Sequence, residues 1–272
     1  MASEGSTDRH LEAQRHEFEQ TFQAGSRAHV VSTDPRVRYI VEWRVREAVR
    51  VLTAEWERIA PGADIRSESV LVLCSGEGSE GSILLDLGFR DVTVSDISES
   101  GCRAAVERDP RLRAVVLDAE RADVPDQSFG IVVVQDGLHH LSSPVAGFLE
   151  SLRIARHAAV FLEPHDSLAG RRLGQKWERN GAAVNWVFRW NRDFVGQVAS
   201  SYLGPIGFTD LSFSFWHHNE LMGKWSNRLG RFGLPALRAM KAVLSPLNRF
   251  GNQFCGLIVL PRSETDAPTT VD

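Results

Sequence analysis

Residues 70–81 read VLVLCSGEGSEG. An apolar run, Val70 to Leu73, enters a loop with glycines at Gly76, Gly78 and Gly81, the spacing G-x-G-x-x-G. Glycine permits positive φ and lets a ligand come close to the backbone. The stretch therefore reads as a turn from a first strand into a helix around a ligand, although a ligand-free tight turn would use the same residues. Glu77 and Glu80 lie where a pyrophosphate would be expected.

On the C-terminal side of this loop, short apolar runs alternate with helical periods. DVTVSD (91–96), LRAVVLD (112–118), FGIVVVQD (129–136) and HAAVFLEP (157–164) read as strands. GSILLDLGF, SESGCRAAVERD and SPVAGFLESLRIA read as helices, the second opened by Ser98. Strands that are apolar on both faces and alternate with helices imply a parallel sheet covered on both sides. The expected fold is a doubly wound, Rossmann-like α/β domain over residues 65–262. Residues 1–64 form a helical N-terminal extension, with a polar stretch at 1–30 read as a mobile arm or an exposed helix. The segment 34–60 has apolar residues at helical spacing, with Asp34 as N-cap, Pro35 at the first position and Pro61-Gly62 as the stop. The tail 263–272 is polar and reads as disordered.

With 272 residues, 43% hydrophobic and 24% charged, the chain has an ordinary globular composition. A net charge of -4 argues against a nucleic-acid partner. The 3 cysteines, Cys74, Cys102 and Cys255, show no disulfide or zinc spacing, which suits a reducing compartment. The N-terminal stretch lacks an apolar core, and no run approaches the roughly 20 apolar residues of a membrane span. A cytoplasmic protein without stable membrane insertion is expected. The oligomeric state is not legible.

Ligands of such sheets bind at the carboxyl ends of the strands. Asp96 ends the second strand at the distance from the glycine loop expected of a ribose-binding acid. Asp118 ends the third strand, where a carboxylate can accept from an adenine amine. Gln135, Asp136, His139 and His140 follow the fourth. Each could instead cap a helix or sit in a turn. Two phosphates beside Glu77 would be repelled, whereas a sulfonium and an ammonium would be favoured. The constellation suits S-adenosylmethionine better than NAD or FAD.

Residues 70–141 resemble the class I S-adenosylmethionine-dependent methyltransferases of the small-molecule type. VLVLCSGEG lies over the family's first motif, roughly V-L-D-x-G-x-G-x-G. DAERADVPDQSFGIVVVQDGLHHL lies over D-A-E-x-L-P-x-x-D-x-S-F-D, followed by a strand and L-H-H-L. The resemblance implies a cofactor site of Cys74, Ser75, Gly76, Glu77, Gly78, Asp96, Ile97, Asp118, Ala119 and Gln135. It also implies that FTDLSFSFW (208–216) and QFCGLIVLP (253–261) form the antiparallel pair closing a seven-stranded sheet. Three positions depart from the pattern: Val72 replaces the usual acid, Cys74 the first glycine and Gly130 the aspartate after Ser-Phe. Glu77 is a candidate substitute for the lost acid.

Methyl transfer requires an aligned acceptor and, for a hydroxyl, a base. His139, His140 and His165 are candidate bases, with Asp166 beside the last. No metal-ligand constellation is evident along the chain. The acceptor, an oxygen or nitrogen of a small molecule such as a secondary metabolite or its sugar, is expected against lid segments at about 166–200 and 217–250. The candidate contacts are Tyr39 and Trp43 on the N-terminal helix, and Trp186 and Trp190 in WERNGAAVNWVFRWNRDF (177–194), a segment equally readable as a packed lid helix. Residues 221–262 carry Lys and Arg but no Asp or Glu. This charge suits an anionic acceptor, a membrane surface or a solvated basic face. A nicotinamide-dependent oxidoreductase and a non-catalytic cofactor-binding scaffold are the alternatives.

Overall fold

The computed structural model describes residues 4–23, 34–180 and 183–261. The tail expected at 263–272 lies outside the described residues. Helices α1 (Glu4–Gln23) and α2 (Pro35–Ile59) precede β1 (Ser69–Leu73), α3 (Ser79–Asp86), β2 (Asp91–Asp96), α4 (Glu99–Arg108), β3 (Arg113–Val116), β4 (Phe129–Gln135), α5 (Pro144–Ile154) and β5 (Ala155–Pro164). Then come α6 (Leu168–Leu173), β6 (Trp177–Asn180), β7 (Ala183–Trp186), α7 (Arg192–Leu203), β8 (Thr209–Asp210), β9 (Phe213–Phe215), α8 (Asn219–Arg228), α9 (Gly233–Leu244) and β10 (Gln253–Val259).

The main sheet runs β3-β2-β1-β4-β5-β10-β8, with β9 also on β10. Strands β1 to β5 pair in parallel, and β10 is antiparallel to β5. β8 and β9 pair with β10 in one register, Asp210 opposite Ile258 and Phe213 opposite Cys255. They are one edge strand interrupted at Leu211–Ser212, where Ser212 Oγ accepts from Leu257 N at 3.1 Å. The seven-position sheet expected from the resemblance is therefore present.

Alternation along the strands divides the core. Val70, Val72, Val94, Val133 and Val160 face α2, α3 and α4, while Leu71, Leu73, Val132, Val134 and Phe161 face α5 and α7. α2 forms as its sequence dictates: Asp34 accepts from Arg36 N at 2.8 Å, Pro35 needs no hydrogen-bond partner there, and Ala60 ends the helix before Pro61. Its stripe of Val45, Ala48, Leu52 and Trp56 lies in the core, so this helix is part of the domain layer.

Two segments differ from their sequence readings. WERNGAAVNW is the hairpin β6–β7 rather than a lid helix. The described part of the 1–30 stretch is α1, one face of which packs onto the glycine loop and α4. A Cβ built at Gly76 would meet the Phe22 ring at 2.9 Å, and one at Gly101 would meet it at 3.0 Å. No described helix is long and apolar enough to cross a membrane.

Candidate active site

The carboxyl ends of β1, β2 and β4 build the first half of the site. The turn after β1 holds Cys74 at φ 53°, Gly76 at φ 51° and Gly78 at φ 77°. Cys74 thus adopts the left-handed backbone for which a glycine is usual, at a cost of about 1–2 kcal/mol. Val70, Leu71, Val72 and Leu73 are all 0% exposed. Each contributes about 1.5–3 kcal/mol by burial, so β1 holds the strained turn. Gly78 and Gly81 permit close approach of Ala105, Leu112 and Val94, where a Cβ would clash.

Asp96 accepts from Gly76 N at 2.8 Å and from Ser98 N at 3.0 Å. Burial raises its pKa against these hydrogen bonds. Ile97 lies between Asp96 and the Ser98 cap of α4. Asp118 is half-buried beyond β3 and accepts from Glu120 N at 2.9 Å, and Ala119 is buried. Ser75 Oγ and Gln135 Oε1 are buried without a hydrogen-bond partner. Gln135 Nε2 donates to Glu80 Oε1 at 2.7 Å, and burial pushes Glu80 up to about 7. Glu77 does not face the loop as an isolated charge, because Arg108 of α4 pairs with it. The charge argument against a pyrophosphate is weakened accordingly, and Glu80 is the acid that faces the interior.

The second half begins where β4 ends. Asp136, at φ 49°, accepts from Arg44 Nη1 and Nη2, one on each carboxylate oxygen. Gly137 packs so closely on the loop that a Cβ there would meet Cys74 Cβ at 2.5 Å. Glu163, 0% exposed at the end of β5, accepts from Gly137 N at 2.8 Å and Leu138 N at 2.7 Å through one oxygen. Its other oxygen lies 2.6 Å from His139 Nδ1, while Glu178 of β6 lies 3.1 Å from His139 Nε2. Burial alone would lower the His139 pKa, but the two carboxylates lift it to about 10. His140 is pushed down by burial and by the neighbouring His139 charge, which leaves it neutral. Phe18 of α1 meets the His140 ring edge-on at 5.7 Å.

Residues 71–162 match the family described as "Methyltransferase domain". The matched region, about a third of the chain, is similar to methyltransferase domains. The demethylmenaquinone methyltransferase of Beutenbergia cavernae is 38% identical over 89 residues, covering 33% of this chain and 37% of that relative. The match thus spans little more than a third of the relative's length. The magnesium protoporphyrin IX methyltransferase of Synechocystis, solved with bound S-adenosylhomocysteine, aligns with a TM-score of 0.56 at 15% identity over 93% of this chain and 99% of that one. The 4+2 cyclase SpnF aligns at 0.57 with 14% identity over 93% and 97%. Both show likeness of fold.

Within this methyltransferase fold the remaining expected site residues are dispersed. His165 is buried, its Nδ1 donates to Gly251 O at 2.7 Å, and its ring stacks on Phe254. Asp166 is paired with Arg171. Tyr39 packs against Ile40, Met222 and Leu237. Trp43 lies under the Lys241 ammonium, 3.5 Å from its ring centre. Trp186 is exposed and meets Trp177 across the hairpin. Trp190 is 0% exposed among Phe148, Phe161, Phe188 and Phe194, which makes it a core residue.

Sequence reasoning passed over Glu163 and Glu178, and it chose Glu77 rather than Glu80 as the substitute for the lost acid. The signal for Glu163 was present: one acid closing an apolar strand just before Pro164. Glu178 had none, since its role depends on the hairpin. Also unread was the pair Lys241 and His217, at 3.0 Å between Nζ and Nδ1. Lys241 is the one cation of the basic segment's described part that turns inward, at 9% exposure.

Proposed function

We propose that this chain transfers the methyl group of S-adenosylmethionine to an oxygen or nitrogen of a small molecule, with the acceptor held beside the exit of β4. The observation that carries this reading is the contact of Gly137 with Cys74, which sets the His139–His140 cluster directly against the glycine loop.

The residues present fit the cofactor. Asp96 offers a fixed carboxylate for ribose hydroxyls, and Asp118 and Ala119 lie where an adenine would end. The partnerless Ser75 Oγ and Gln135 Oε1 are buried polar atoms that a ligand would satisfy. Glu80 stands ready to pair with a cationic amino group, replacing the acid lost at Val72. The bound cofactor supplies a methyl group already activated on sulfur. The chain's own task is then alignment and proton removal. His140, neutral and partly accessible, takes the acceptor proton in this reading. His139, already cationic between two carboxylates, orients rather than accepts. His165 keeps a free Nε2 but lies beside Phe254.

The acceptor lies against Trp43 and the exposed Trp186, and Tyr39 supports α2 from behind. A secondary metabolite or its sugar is the acceptor class we favour, and the inward Lys241 beside Arg44 supports an anionic group on it. The relative's match covers 33% of this chain and does not identify the acceptor. We propose a cytoplasmic setting for the reaction. Calorimetric titration of the protein and of Asp96→Ala with S-adenosylmethionine, S-adenosylhomocysteine and NADH tests the reading. Binding of the two sulfur cofactors, lost in the variant, supports it. Binding of NADH alone removes it.

A further inference from the structure

We propose that His139 Nε2, His140 Nδ1 and a Glu178 carboxylate oxygen form a binding site for one divalent transition metal, zinc by chemistry of the ligand set. The three ligand atoms lie within 4.8 Å of one another. Glu178 Oε2 stands 3.1 Å from His139 Nε2 and 3.6 Å from His140 Nδ1. Two ligands each about 2.0–2.1 Å from a tetrahedral zinc stand roughly 3.3–3.4 Å apart. The two observed separations bracket that value. The longer one exceeds a hydrogen bond and suits two ligands of one ion.

The surroundings are those of a prepared ligand set. Glu163 receives the His139 Nδ1 proton at 2.6 Å and is itself anchored by the Gly137 and Leu138 amides. A buried carboxylate behind a histidine fixes the tautomer that leaves Nε2 as a lone-pair donor, and it raises the basicity of the ring. With His139 in that tautomer, Nε2 faces Glu178. Two imidazoles and two carboxylates, one ligating and one behind, balance the charge of a divalent ion. Three protein ligands leave a fourth position open, the pattern of a catalytic rather than a structural zinc. A non-metal alternative exists, in which His139 is an imidazolium clamped between Glu163 and Glu178.

The role of the metal rests on the methyltransferase reading, although its binding does not. The open position takes the acceptor hydroxyl, whose proton then leaves to solvent near neutral pH, as it does from zinc-held water. The oxygen lone pair forms the new O–CH3 bond as the S–CH3 bond breaks, and that electron pair stays on sulfur as a thioether. His140 is then a ligand, and the metal replaces it as the agent that ionises the acceptor.

The test uses the full chain stripped with chelator. Zinc is titrated by calorimetry, and cobalt(II) is added to read tetrahedral coordination by visible absorption. One equivalent of tight binding is expected, weakened at least about 100-fold by Glu178→Gln or His140→Ala, and roughly 10–100-fold by Glu163→Gln. Glu178 lies on the hairpin with its side chain 30% exposed, so Glu178→Gln leaves the fold intact, as an unchanged melting temperature would verify. Absence of stoichiometric binding, or binding indifferent to Glu178→Gln, overturns the metal site and supports the imidazolium clamp. S-adenosylmethionine binding is measured on the same stripped sample. Cofactor bound without metal removes this site and leaves the methyltransferase reading. Metal bound without cofactor does the reverse.

Discussion

The Arg44 guanidinium, buried on α2, grips both carboxylate oxygens of Asp136, the residue that follows β4 at positive φ. This ion pair joins the helical layer to the exit of β4. The Arg44 side chain is 6% exposed and that of Asp136 41%, so the pair is half-screened. Arg44→Met should destabilise the protein by about 1.5–3 kcal/mol, with Asp136→Asn less costly. A double-mutant cycle by urea unfolding should give a coupling of roughly 0.5–3 kcal/mol. Burial works against the Asp136 charge, but Arg44 outweighs it and lowers the pKa. The stability from this pair is therefore present above the ordinary aspartate range and is lost as pH falls through the lowered folded value. Additive single variants would refute the coupling.

Glu80 titrates near 7 because burial disfavours its charge. A cationic cofactor amino group beside it would lower that value, so binding at pH 6.5 should release a fraction of a proton. Calorimetry in two buffers of different ionisation enthalpy would read this release, and Glu80→Gln should abolish it. Equal release in the variant would place the amino group elsewhere. In the free protein the raised pKa favours folding fully below the unfolded glutamate value, and that contribution is lost as pH rises through 7.

Lys241 gives the opposite sign to a base. Burial, and then the Arg44 charge, push it down to about 7. Its ammonium also meets Trp216 O, His217 Nδ1, the Trp43 ring and the more distant Glu47 charge. Between pH 7 and 10 the unfolded chain binds the extra proton, so stability should rise with pH by up to about 1.4 kcal/mol per unit. Lys241→Met should flatten that slope and stabilise the protein most at pH 6. A slope unchanged by the substitution would show that Lys241 is not its source.

Phe22 of α1 rests on Gly76 and Gly101, and Glu19 accepts from Ser98 Oγ at 2.7 Å and Ser100 N at 3.2 Å. A cofactor laid along the glycine loop competes with Phe22 for the same backbone. Phe22→Ala should accelerate S-adenosylmethionine association several-fold in stopped-flow fluorescence, with little change in melting temperature. An unchanged association rate would mean that α1 does not obstruct the loop.

The strands, and the strand-end positions of the acids proposed for the cofactor, were legible because their signals are local. Val70–Leu73 and Ile131–Val134 are continuous apolar runs, and Asp96 and Asp118 follow from strand ends alone. The hairpin β6–β7 was not legible, since its aromatic and polar residues carry no clean period and its pairing depends on the sheet end beneath it. Trp190 looked like its neighbours Trp177 and Trp186, yet only tertiary packing distinguishes a core ring from an exposed one. Glu178 and His140 lie far apart in sequence, so their proximity could not be read before the chain was folded. Likewise α1 is polar in composition because it buries a narrow face, of which Gln14, Phe18, Glu19 and Phe22 are part.

Glu163 ties the exit of β4 to the end of β5 through the Gly137 and Leu138 amides and the His139 ring. Those two amides lie in a turn, where hydrogen exchange is ordinarily fast. Here a buried carboxylate carried on an interior strand accepts both protons, so their exchange should be slowed relative to an ordinary turn. The corner proposed to react is thereby coupled to the stability of the sheet beneath it. A change that loosens it for a bulkier acceptor would have to loosen the domain as well, and directed variation of acceptor range should accumulate on the hairpin and α2 instead.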